Sequence, residues 1–191
     1  MTINSINTSV SFGKLPVMKC TIKDAQTKKI MPATLYQLEV GKASDVYDVE
    51  HSKNTMDIYN SFMKDSRFGS NYRQYYMLQN DKTQEVIGCA QTSSHFSMKK
   101  DISGGHQLLV EELSENKKYL NGKEPILTYL LNVARKSMKD SVVTAFDTNV
   151  VPNMKQVRPK QISTGEFVIP ASRFDNALIH GEKRYNISYD V

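Results

Sequence analysis

Gln107-Leu-Leu-Val-Glu-Glu-Leu113, Ser114-Glu-Asn-Lys-Lys-Tyr-Leu-Asn-Gly-Lys123 and Glu124-Pro-Ile-Leu127 follow one another without a break. The first is an apolar run of strand length, the second a polar, basic, glycine-containing loop, and the third the opening of a helix. Pro125 suits a first helical turn, where its missing N–H costs nothing. Ile126, Leu127, Leu130, Leu131, Val133 and Ala134 then build a broad apolar face. Arg135, Lys136 and Lys139 gather near its C-terminal end, where positive charge favours the helix dipole. Val142 to Phe146 reads as the next strand, ended by Asp147-Thr148-Asn149. A helix that opens directly from a basic loop sets unpaired N–H donors and about half a positive charge beside Lys117, Lys118 and Lys123. The expectation is an anion site at that loop.

Toward the N-terminus, Tyr75 to Leu78 and Glu85 to Thr92 are two apolar runs joined by Asn80-Asp81-Lys82-Thr83, the pattern of a hairpin. Ser93 to Gly105 is polar and reads as a loop. Met56, Tyr59, Phe62 and Met63 recur at helical spacing after Asn54, and Ser44 caps a shorter helix carrying Val46, Tyr47 and Val49. A further hairpin joins Val17–Ile22 to Ile30–Val40. Residues 1–15 hold too little apolar surface to offset the entropy of ordering, so a flexible arm is expected there, with one domain over 16–191.

Toward the C-terminus, Pro152 to Arg158 suits one or two helical turns before Pro159. Glu166 to Ile169 reads as a strand, and the alternation of Tyr185, Ile187, Tyr189 and Val191 reads as a half-buried terminal strand.

With 191 residues and 39% hydrophobic content, the chain can bury one substantial core. No stretch approaches the roughly 18–20 apolar residues of a membrane span, and the first fifteen residues lack the apolar run of a secretory signal, so the expected location is the cytoplasm. Cys20 and Cys89 sit in separate apolar runs and read as buried thiols, and no His or Cys pair has zinc-ligand spacing. Nucleophile-elbow, Walker and dinucleotide motifs are missing from the sequence. A net charge of +5 favours anionic ligands without choosing among them.

The order of elements points to an α/β (α+β) fold, a mixed sheet with helices packed on its faces. Over about residues 30–191 it resembles the GNAT superfamily of acyl-CoA N-acyltransferases: the hairpin from Tyr75 to Thr92, the strand Gln107–Leu113, the loop and the helix Ile126–Met138 match that family's core in order. The resemblance implies a mostly antiparallel, splayed sheet with acetyl-CoA as cosubstrate in the gap beside Leu108–Leu113, its pyrophosphate on the loop. Leu113, Lys118, Asn121, Gly122 and Lys123 are then the cofactor-binding candidates, joined by Asn153, which matches the family's asparagine near the pantetheine arm. The loop keeps one glycine of the family pattern, Gly122, and has Glu124 where a second small residue is expected.

The resemblance also implies a glutamate on the central strand as general base, for which Glu111 and Glu112 are equal candidates. Regular alternation sends their side chains to opposite faces, so at most one reaches the gap. No Tyr follows Asn153, where the family often keeps its proton donor; Tyr129 and Tyr185 are the nearest phenols in sequence, and His95 and His106 flank the long loop. The implied activity is acetyl transfer to an amine. The alternative is an inactive binding module on the same fold. A nucleic-acid binder using Lys99, Lys100, Lys117 and Lys118 is the least expected class, because only Phe96 and Tyr119 lie near them for stacking.

Overall fold

The computed structural model describes residues 14–39, 60–62, 64–65, 72–100, 104–146, 157–189 and 191. Its strands are β1 (Lys14–Asp24), β2 (Ile30–Leu38), β3 (Arg73–Asn80), β4 (Val86–Ser97), β5 (Gly105–Glu115), β6 (Tyr119–Leu120), β7 (Ser141–Thr144), β8 (Lys160–Ser163) and β9 (Glu166–Pro170). Helix α1 (Lys123–Lys136) lies between β6 and β7, and a 3-10 turn (Ala171–Arg173) leads into α2 (Phe174–Tyr185).

The strands form one sheet in the order β6-β1-β2-β3-β4-β5-β7-β9-β8. Every neighbouring pair is antiparallel except β5 and β7, which run parallel because α1 carries the chain back between them. This is the mixed, mostly antiparallel sheet that the sequence implies. The β1–β2 turn is held by Asp24, whose Oδ1 accepts from the N–H groups of Gln26 (2.9 Å) and Thr27 (2.7 Å). Asn80 does the same for Lys82 and Thr83 between β3 and β4.

The sheet curls. If flat, it would set β6 five strand spacings from β5, about 24 Å. From Glu115 to Tyr119 the chain reaches at most about 15 Å. The β1 edge must therefore swing round toward the end of β5, where Lys23 and Asp24 pair with Leu120 and Tyr119.

One face of the sheet packs on both helices, with Met18, Cys20, Ile22, Leu35, Tyr76, Leu78, Val110 and Leu113 against Ile126, Leu127, Leu130, Phe174 and Leu178. The other face carries Leu38, Tyr75, Met77, Val86 and Cys89 with Phe62 of the short helical segment at 60–62. The two cysteines lie in different clusters, and burial pushes each thiol up to about 12.

Four readings change. Ser93–Ser97 is strand, not loop, pairing with Gly105–Leu109; its side chains other than Phe96 are polar, but the backbone ladder needs none of them, and Phe96 packs at a tilt against His106 directly opposite (centroids 4.9 Å). Lys160–Ser163, which the sequence places in a loop over 158–165, is the edge strand β8. The expected terminal strand is cut down to one bridge, Ser188 to Lys19, because Tyr185 ends a helix instead. Phe174, Ala177, Leu178, Gly181 and Tyr185 are that helix's buried face, and Asn186 (φ +47°) stops it. Finally, β1 takes in Lys14 and Leu15, two residues of the expected arm. The helix read at Ser44, most of that read after Asn54, and the turns read at 152–156 lie outside the described residues.

Candidate active site

Strand β5 is eleven residues long, yet β7 pairs only with Gln107 to Val110. Among the described residues, 111–114 have no strand partner on that side. The splay thus opens where β7 leaves β5, and it begins at a β-bulge. On the β4 side the register steps from Val110↔Thr92 to Glu112↔Gln91, so Glu111 is the extra residue. The bulge resets the alternation: Val110 and Leu113, three apart, both enter the helix-side core. Regular alternation, the basis for weighing Glu111 against Glu112, does not hold here.

Glu111 faces away from α1. Its carboxylate accepts from Arg73 Nε (2.8 Å), Ser93 Oγ (2.6 Å) and Gln91 Nε2. Arg73 also pairs with buried Asp65 (3.4 Å) and lies over the Tyr72 ring (4.4 Å), and Tyr75 donates to Asp65 (2.7 Å). Burial by itself raises the Glu111 pKa, but hydrogen bonds from Ser93, Gln91 and Arg73 together with the Arg73 charge more than reverse that, and the net shift is downward. Glu111 is therefore a fixed anion at the mouth of the splay. Glu112 is exposed.

Beyond Glu111 the same sheet face continues as a groove of about 190 Å³ whose lining includes His95, Lys99, Gln107, Leu109, Val143 and Glu166. His95 and Gln107 are directly opposite in the β4–β5 register. His106 packs against Phe96 and lies outside this lining.

The loop before α1 is held by the chain's own carboxylates. Lys123 N–H donates to Glu115 Oε2 (3.2 Å), and Lys118 pairs with Glu85 (2.6 Å), which also accepts from Tyr119 (2.7 Å). Gly122 is buried so closely that a Cβ would sit 3.1 Å from Ile87 Cγ2. Asn121 turns in the left-handed region (φ +57°). Leu113 belongs to the core rather than to the surface of the gap. Of the expected cofactor set, Asn121, Gly122 and Lys123 come together at the helix start, Lys118 is drawn to Glu85, and Asn153 lies outside the described residues.

Glu124 does not face the loop. It is fully buried and accepts from the Tyr185 hydroxyl at the end of α2. Burial first, and the Glu124 bond second, raise the Tyr185 pKa, and its hydroxyl is engaged with that buried carboxylate. Tyr129 is likewise a core residue. Tyr185→Phe is expected to cost about 1.5–3 kcal/mol by removing a donor from a buried carboxylate, read as a lower melting temperature with an unchanged circular dichroism spectrum.

The bulged central strand, the parallel partner that parts from it and the helix between them match the GNAT fold, and this chain has it. Among solved structures it is similar to a KacTA–DNA complex (TM-score 0.57, 10% identity, covering 77% of this chain and 98% of that one). It is also similar to AtaTR bound with acetyl-CoA (0.54, 9%, 75% and 96%) and to arylalkylamine N-acetyltransferase 7 of the yellow fever mosquito (0.51, 13%, 80% and 83%). No family model and no curated protein sequence matches the chain. Among the described residues, no helix is long and apolar enough to cross a membrane.

Proposed function

We propose that this protein is an N-acetyltransferase that moves an acetyl group from acetyl-CoA to an amine. The observation that carries this reading is the splay itself: among the described residues β7 pairs with β5 only as far as Val110, and the two strands part at the Glu111 bulge. The β5 edge at 111–114, which has no strand partner on that side among the described residues, suits an extended, amide-bearing arm lying where a strand would. The likeness to AtaTR bound with acetyl-CoA supports the same cosubstrate.

In the reaction the amine nitrogen attacks the thioester carbonyl carbon; a C–N bond forms, the C–S bond breaks, and the proton lost by nitrogen neutralises the departing thiolate. Glu111, a held anion, attracts the amine; with its lowered pKa it is a weak base, so the proton leaves through water. The groove from Leu109 to Glu166 receives the acceptor. Amine-bearing acceptors are the partner class this reading names. The DNA in the KacTA complex belongs to that protein, but it removes any support for ranking nucleic acid last here.

One observation favours the second reading, an inactive GNAT-fold module: Glu115 sits on the Lys123 N–H, where a pyrophosphate would bind. Calorimetry with acetyl-CoA separates the two. Measurable heat at micromolar ligand supports the transferase, and none at millimolar ligand overturns it. Glu115→Ala is expected to tighten acetyl-CoA binding about tenfold by freeing that donor and removing a negative charge.

A further inference from the structure

On the other side of the same loop lies a more enclosed cavity of about 190 Å³. It is lined by Thr21 and Lys23 of β1, Ile30 of β2, Leu120 and Asn121 of the loop, and Arg184 of α2, with Tyr185 completing the wall. Three contacts fix these walls. Leu120 pairs with Lys23 across the β6–β1 ladder, Thr21 Oγ1 donates to the Tyr185 carbonyl (3.1 Å), and Tyr185 donates to Glu124 at the base of α1. The cavity is a consequence of β1 and α2. β1 precedes the part of the chain that resembles the GNAT core, and α2 stands where a terminal strand is expected.

Its chemistry is one-sided. Two cations, Lys23 and Arg184, line the space, and no carboxylate among the described residues does. Ile30 and Leu120 supply apolar wall, which lowers the local dielectric and strengthens the attraction for an anion. The volume is below the roughly 300–1,000 Å³ of a pocket that swallows a whole ligand, so it suits one anionic group of a molecule. Arg184, which lies over the Tyr185 ring (5.8 Å), has the planar, forked guanidinium whose shape matches phosphate oxygens, and Thr21 and Asn121 add neutral polar groups.

We propose that this cavity is a phosphate-binding site, with Lys23 and Arg184 as its anchoring residues. The phosphate comes either from a free phosphomonoester or from the 3′-phosphate of coenzyme A, and the chemistry of recognition is the same. The inference does not depend on the transferase reading.

The test is calorimetry on the full chain with inorganic phosphate, 3′,5′-ADP, CoA and dephospho-CoA. Phosphate and 3′,5′-ADP are expected to bind, and the double variant Lys23→Ala/Arg184→Ala to weaken them about tenfold or more, while Lys139→Ala, outside the lining, leaves them unchanged. If CoA binds more tightly than dephospho-CoA, and the difference vanishes in the double variant, the phosphate arrives on the coenzyme. Equal binding of the two, with 3′,5′-ADP still sensitive to the variant, assigns a free phosphomonoester. Undetectable binding of both phosphate and 3′,5′-ADP, or binding equally tight in the variant, overturns the site. Should the double variant fail to fold, modification of Lys23 by an amine-reactive reagent on the parent chain decides instead: protection by phosphate supports the site, and no protection overturns it. Loss of this site with acetyl-CoA heat intact, or the reverse, tells the two proposals apart.

Discussion

Glu111→Ala melts about 4–12 °C below the parent protein. The variant strands the Arg73 guanidinium, Ser93 Oγ and Gln91 Nε2, which all donate to this one carboxylate. Removing one member of a fully buried ion pair costs about 3–5 kcal/mol; with both side chains 25% exposed, about 2–3 kcal/mol is expected here. The loss depends on pH with a definite sign. Because the folded-state pKa of Glu111 is depressed, its contribution is complete above the ordinary carboxylate value and disappears as the pH falls through the lower folded value. The melting difference between parent and variant should therefore be full at neutral pH and close in acid. Glu111→Gln separates structure from chemistry. It keeps the side-chain volume and part of the hydrogen bonding, and on the transferase reading it lowers kcat/KM about 100-fold by removing the charge that attracts the amine, well beyond what its smaller stability loss explains.

Gly181→Leu is the second large effect. Helix α2 crosses α1 with Gly181 against Thr128, so closely that a Cβ would lie 2.3 Å from Thr128 Oγ1 and 2.7 Å from its Cγ2. Thr128 is fully buried and its Oγ1 donates to the Glu124 carbonyl (2.8 Å), so it has nowhere to go. Overpacking of this kind costs about 3 kcal/mol, or about 6–12 °C in melting temperature. The consequence reaches the loop, because α2 carries Tyr185, the partner of Glu124, and Arg184 of the basic cavity. Gly181→Ala should be milder, since about 1 kcal/mol of gained helix propensity offsets part of the clash. Thr128→Ala should restore most of the remainder by removing Oγ1 and Cγ2, giving a coupled double-mutant cycle.

The loop before α1 bears on both proposals. A loop that keeps one glycine and three lysines looks, residue by residue, like an anion site. In the folded chain two of its cationic or donor groups are already answered by Glu85 and Glu115. Glu115 is the feature that sequence reasoning passed over. Its carboxylate reaches a backbone N–H eight residues on, and only the turn of the intervening chain brings the two together.

What the sequence by itself determined is the set of elements whose pattern is local. Helix α1 was legible from Pro125 and its apolar face, the β3–β4 hairpin from two apolar runs around a polar turn, and β5 from its Leu-Leu-Val core, because period and turn chemistry act over a few residues. From those elements the GNAT resemblance and the mixed, splayed sheet followed. What only the tertiary structure decided depends on partners remote in sequence. The bulge that aims Glu111 exists in the register between β4 and β5, not in either strand alone. Ser93–Ser97 became strand because β5 offered a ladder, and Tyr185 ended a helix because a buried carboxylate 61 residues earlier takes its hydroxyl. Backbone pairing and buried hydrogen bonds are satisfied by whatever the fold brings near, so no local pattern announces them.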